Sequence, residues 1–129
     1  DEFYTEDIDK EGLSVLKWSM FDSPDSEGSG YLFMEREPVY ILDVVCKMYR
    51  IRPDIILGYT SKPVADKMFL PSKNAHRVGL GIRIRVLSTK KRMRLIKGLI
   101  ECGIERIAVS EDTLYFDTDS LQPAYFAIW

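Results

Sequence analysis

The eight residues Gly79-Leu80-Gly81-Ile82-Arg83-Ile84-Arg85-Val86 constrain this chain more than any others. Period two puts Leu80, Ile82, Ile84 and Val86 on one face of a strand, and Gly79, Gly81, Arg83 and Arg85 on the other. A strand with one apolar and one polar face belongs to a sheet covered on one side. The flanking sequence offers the cover. Pro38 suits a first helical turn, and Val39, Leu42, Val45, Cys46 and Tyr49 follow at helical spacing until Arg52-Pro53 stops the run. Ser88 can cap a second helix reaching Cys102, with Met93, Ile96, Leu99 and Ile100 expected inward and Gly103 as its stop.

More strands follow from pattern. Asp54 to Tyr59 reads as a short buried strand, and Lys62 to Phe69 as a helical turn ending near Pro71. Ile104 to Val109 and Thr113 to Asp117 alternate across Ser110-Glu111-Asp112, which predicts a hairpin. Ala124 to Trp129 is apolar enough for a last strand, whereas Phe21 to Gly30 is rich in the Asp, Ser, Pro and Gly of an ordered loop. The expected fold class is α+β: a small, mostly antiparallel sheet with helices packed on one side.

With 129 residues, 46% of them hydrophobic, the chain is long enough for one domain whose core needs no disulfide or metal. Asp1 to Gly12 holds six acids and one lysine and reads as a solvated arm; residues 13–129 form the expected domain. A formal charge of -2 disfavours a dedicated nucleic-acid binder. Apolar runs are too short for membrane insertion, and no signal-peptide pattern opens the chain. Cys46 and Cys102, on separate predicted helices, are expected as free thiols; with no signal peptide this favours a cytoplasmic or virion-associated setting.

Chemistry-bearing motifs are sparse. The single histidine, His76, cannot build a Cys/His zinc site alone and reads as a hydrogen-bonding loop residue. Gly79-Leu80-Gly81 opens no helix and is no phosphate loop. Lys90, Lys91, Arg92, Arg94 and Lys97 cluster on the helix after Ser88. They read as a solvated face or as the seat of an anionic partner: an acidic polymer, an acidic protein, or the chain's own arm.

Five stretches in order carry a resemblance. Phe21-Asp22-Ser23-Pro24-Asp25 through Gly28-Ser29-Gly30 and Met34 follows F-D-S-P-D-x-x-G-S-G-x-x-M, and Leu57-Gly58-Tyr59-Thr60-Ser61 stands where S-G-Y-R-[ST] is found. His76 to Arg83 follows H-x-x-G-x-A-x-D, Gly103 to Val109 follows G-[FI]-x-R-I-G-[IV], and Leu114 to Asp117 follows I-H-x-D. Across Leu13 to Trp129 the chain resembles the zinc D-alanyl-D-alanine carboxypeptidases and endopeptidases of bacteria and phage endolysins. The resemblance implies the fold shared with the amino-terminal Hedgehog domain.

It also implies where zinc would sit: on the first and last residues of H-x-x-G-x-A-x-D and on the His of I-H-x-D. Here those positions are His76, Arg83 and Tyr115, and the substrate-binding Arg of S-G-Y-R is Thr60. A guanidinium offers no lone pair to a metal, and Tyr115 would ligate only as phenolate. One good ligand of three predicts no catalytic residue, no metal and no zinc cofactor. Arg83 is expected in the metal's place, bonded to Asp117, with Tyr115 and His76 as further neighbours of this vestigial site; the plainer alternative is a solvated strand residue. Tyr59, Thr60 and Ser72 would line the old cleft. The expected role is a catalytically inactive binding or structural module, virion-associated or bound to peptidoglycan, with a protein partner favoured. The alternative is an active peptidoglycan metallopeptidase using His76 with Asp112, Asp117 or Asp119.

Overall fold

The structure is a computed structural model and describes residues 12–68 and 74–128. Ser72, most of the acidic arm and the end of the predicted turn at Pro71 lie outside the described residues. A 3-10 turn, Trp18–Phe21, and a short helix α1, Ser29–Phe33, precede the first long helix α2, Arg36–Tyr49. Strand β1, Asp54–Leu57, helix α3, Lys62–Lys67, and strand β2, Gly81–Arg85, come next. Helix α4, Thr89–Glu101, then leads to β3, Arg106–Val109, β4, Thr113–Asp117, and β5, Tyr125–Ile128.

The five strands form one sheet in the order β1-β2-β4-β3-β5, antiparallel throughout except for the parallel β3–β5 pair. The α+β class and the mostly antiparallel sheet therefore stand as expected. Ile82 and Ile84 face the core with Leu114 and Phe116, joined there by Val39, Leu42, Val45 and Cys46 of α2 and by Leu95 and Leu99 of α4. Alternation along β2 leaves Gly81, Arg83 and Arg85 on the opposite face.

Several local expectations hold for visible reasons. The Ser88 hydroxyl accepts the Lys91 N–H and caps α4, while Gly103 ends it at φ +90°, a conformation glycine adopts without strain. Ser61 caps α3 through the Val64 N–H. Both cysteines are free, and burial pushes the Cys46 thiol up to about 12.

Two local expectations are overturned. β1 is not a buried strand: it lies at the sheet edge, with Asp54 and Ile56 exposed and Leu57 alone in the strand buried. Met93 and Ile100 are not inward; they are 66% and 56% exposed, and α4 packs through Leu95, Gly98 and Leu99. The cause is Gly98. A Cβ there would lie 2.6 Å from Val45 Cγ1, so its absence lets α4 settle against α2 on that side and turns the Met93–Ile100 stripe outward. The loop Phe21 to Gly30 also holds more structure than expected, since Gly28, at φ +84°, starts α1 within it.

Candidate functional site

Strand register assembles the residues singled out by sequence. On the face of the sheet opposite Ile82 and Ile84, Arg83 pairs with Tyr115, Gly81 with Asp117, and Arg106 with Asp117 from the other side. Cross-strand partners sit within side-chain reach, so one register fixes the whole group. Glycine at position 81 matters here. A Cβ would stand 3.1 Å from the Tyr115 hydroxyl and 2.9 Å from Ala75 Cβ, so its absence gives the phenol room.

His76 reaches this face from a loop. Asn74 Oδ1 accepts the N–H groups of His76 and Arg77, and Ala75 O accepts those of Leu80 and Gly81. The imidazole is 4% exposed and places Nδ1 3.0 Å from Gly58 O and 3.1 Å from Gly81 O. Two carbonyls can only accept, so Nδ1 carries the proton and Nε2 keeps its lone pair. Nε2 has no hydrogen-bond partner among the described residues. Burial lowers the pKa to about 4, the Gly58 carbonyl opposing and the Arg83 charge adding to the fall, so the ring is neutral at pH 7. The ring meets Tyr115 edge to face at 5.4 Å.

Asp117, 2% exposed, is the hub. Its carboxylate accepts the Arg106 Nε–H at 2.8 Å, the Tyr115 hydroxyl at 2.5 Å and the Asp119 backbone N–H at 3.1 Å. Arg106 also donates from Nη1 to Pro123 O, which fixes the approach to β5. Burial, with the hydrogen bond to Asp117 and its negative charge, pushes the Tyr115 phenol far above its ordinary range. Arg83 lies over the Tyr115 ring, 5.8 Å from its centroid.

The predicted four therefore meet, with the cation exchanged. Arg106, not Arg83, is ion-paired with Asp117. Arg83 stands directly across from Tyr115, two residues short of Asp117 in the register, whereas Arg106 stands across from Asp117 itself. Sequence reasoning passed over Arg106, although it is the Arg of the matched G-[FI]-x-R stretch.

Zinc does not fit this donor set. Arg83 cannot ligate, the Tyr115 hydroxyl is committed as a donor to Asp117, and only the His76 Nε2 lone pair is open. Nor are the alternative ligands gathered. Asp112 lies in the hairpin turn at the far end of β4 from Asp117, its carbonyl accepting the Val86 N–H. Among the described residues no three His, Cys, Asp or Glu side chains form a metal-ligating group.

The residues expected to line a cleft are engaged within the fold. Thr60 is fully buried and offers no surface to a ligand; its backbone N–H donates to His76 O. Tyr59 is half-buried and engaged: Phe33 packs on its ring at 4.9 Å, and Arg77 donates to its hydroxyl at 3.0 Å and to Thr60 O at 3.2 Å. The loop motif earns its shape locally. Asp22 accepts the N–H groups of Gly28 and Gly30, and Asp25 accepts the Ser23 and Ser61 hydroxyls, which tie the loop to the start of α3.

In the basic cluster, Lys90, Lys91, Arg94 and Lys97 are exposed. Arg92 leaves it: half-buried, it donates to Val86 O and Glu111 O and ties the end of β2 to the hairpin turn. No helix among the described residues is long and apolar enough to cross a membrane. Comparisons with known proteins give no match to a family model, a curated protein or a solved structure.

Proposed function

We propose that this chain is a non-catalytic relative of the zinc D-alanyl-D-alanine peptidases, retained as a binding or structural module in a cell-wall or phage-particle setting. One observation carries the reading: Tyr115, at the third ligand position, spends its hydroxyl proton on Asp117, and Asp117 is neutralised by Arg106. A buried carboxylate is costly alone, and a fixed guanidinium offsets that cost without any metal ion. Zinc-bound water, the nucleophile of such peptidases, has no three-ligand seat here. What remains is a rigid face that holds and does not cut, and its partner is a protein or peptidoglycan.

Metal analysis of the purified chain and a muropeptide digest test this directly. The expected result is zinc well below one per chain, no release of stem peptides, and co-sedimentation with insoluble peptidoglycan or with a particle protein. The double substitution Arg83→Asp with Tyr115→His should raise zinc uptake towards one per chain. Tight stoichiometric zinc in the wild type, with peptide release abolished by a chelator, would overturn the reading.

A further inference from the structure

Away from the strand face, two grooves of about 270 and 430 Å³ adjoin, and both are lined by Ile51 and Arg52. The first runs from Arg52 past Arg85 to Lys91 at the start of α4; the second adds Lys17, Lys47 and Arg50 around the end of α2. Six cations thus line the two adjoining grooves, and among the described residues Asp54 is the only carboxylate that lines them. Asp54 is paired with Arg85 at 3.5 Å with both side chains at least half exposed, so it cancels little of the field. The exposed Lys90, Arg94 and Lys97 carry the positive charge onward along α4.

The overall charge of -2 hides this surface. Residues 1–11 hold six of the twenty acids and one of the eighteen cations, so the remainder of the chain is net positive. A row of cations along a channel suits a polymer with regularly spaced charges, since each neutralised phosphate releases counterions. Among the described residues no aromatic side chain lines either groove. Single-stranded nucleic acid is held largely by stacking on aromatic rings, so the aliphatic floor favours a polyanion without bases.

We propose that the joined grooves bind a phosphodiester-linked polyol, the chemistry of poly(glycerol phosphate) in bacterial walls. This rests on the binding-module reading above and gives it a ligand. The full chain is titrated with purified poly(glycerol phosphate), matched polyglutamate and a 20-base-pair duplex. Binding to the polyol phosphate is expected to be the tightest of the three, and to weaken at least tenfold between 50 and 200 mM salt, on the order seen when several phosphates are neutralised. The pair Lys47→Glu with Arg52→Glu should weaken it at least tenfold with the thermal melt unchanged, whereas Lys62→Glu with Lys67→Glu, equal in charge but on α3, should change it less than twofold.

Equal affinity for polyglutamate or the duplex, or no effect of the groove pair, overturns the proposal. Sedimentation with whole walls separates it from the reading beneath it. Undiminished binding to walls stripped of their phosphate polymer overturns this ligand and leaves a binding module. Chelator-sensitive peptide release overturns the module and leaves polymer binding to stand on the titration.

Discussion

Tyr115 and Asp117 sit two residues apart on one strand, so their side chains share a face, and the phenol donates to the carboxylate at 2.5 Å. This bond commits the phenol proton to the carboxylate. Tyr115→Phe removes one of the three hydrogen bonds to a carboxylate that is 2% exposed. A loss of about 1–3 kcal/mol is expected, the range for a buried charged acceptor stripped of one donor. Urea denaturation with an unchanged m-value checks it; an unchanged midpoint would show the bond to be idle.

Arg106 is the larger lever. Arg106→Ala leaves the buried Asp117 carboxylate without its cation and frees Pro123 O, so a loss of about 3–5 kcal/mol is expected. Adding Asp117→Asn removes the stranded charge, so the double variant should be more stable than the sum of the two single losses. Strictly additive losses in that double-mutant cycle would mean that the two side chains do not interact.

Much of this was legible beforehand. The alternation of Leu80 to Val86 gave an interior strand and its polar face; the expected meeting of Arg83, Tyr115 and Asp117 came from the resemblance, and the β2–β4 register brings the three together. The identity of Asp117's cation was not legible. It depends on which residue of β3 falls opposite Asp117, and pairing register is a tertiary outcome that period two leaves open. The inward side of α4 was misread for a related reason. Two apolar stripes compete on that helix, and the choice falls to Gly98, which enters a hydrophobic pattern as a blank but decides how closely two helices approach. Thr60 was misplaced because its role in the resembled motif is that of a ligand contact, whereas here its backbone is tied to His76 O in the interior.

Gly98→Ala makes that argument testable with an unusual sign. In an exposed helix interior this change stabilises by about 1 kcal/mol. Here the added methyl meets Val45 Cγ1 at 2.6 Å and Tyr49 Cε2 at 3.1 Å, and overpacking of this kind costs about 1–3 kcal/mol. A net loss in thermal stability is expected. Val45→Ala in the same chain, which opens the space, should reduce the penalty of the glycine change. A simple gain from Gly98→Ala would show that the helices are not in close contact there.

The last expectation concerns acid. His76 is neutral when folded, with its pKa lowered to about 4, whereas in the unfolded chain it titrates near 6.5. Below about 6.5 the unfolded state takes up a proton that the folded state refuses, so stability is full above that pH and falls as pH drops towards 4. A shift of this size corresponds to a loss of roughly 3 kcal/mol over the window. His76 is the only histidine, so between pH 6.5 and 5 no other side chain with an ordinary pKa contributes strongly. Urea midpoints measured at half-unit steps should decline across that range in the wild type. His76→Asn, which keeps a donor near the Gly58 and Gly81 carbonyls but cannot be protonated, should be less stable at pH 7 and flat down to pH 5. A variant as steep as the wild type would place the acid sensitivity elsewhere and remove the buried imidazole as its source.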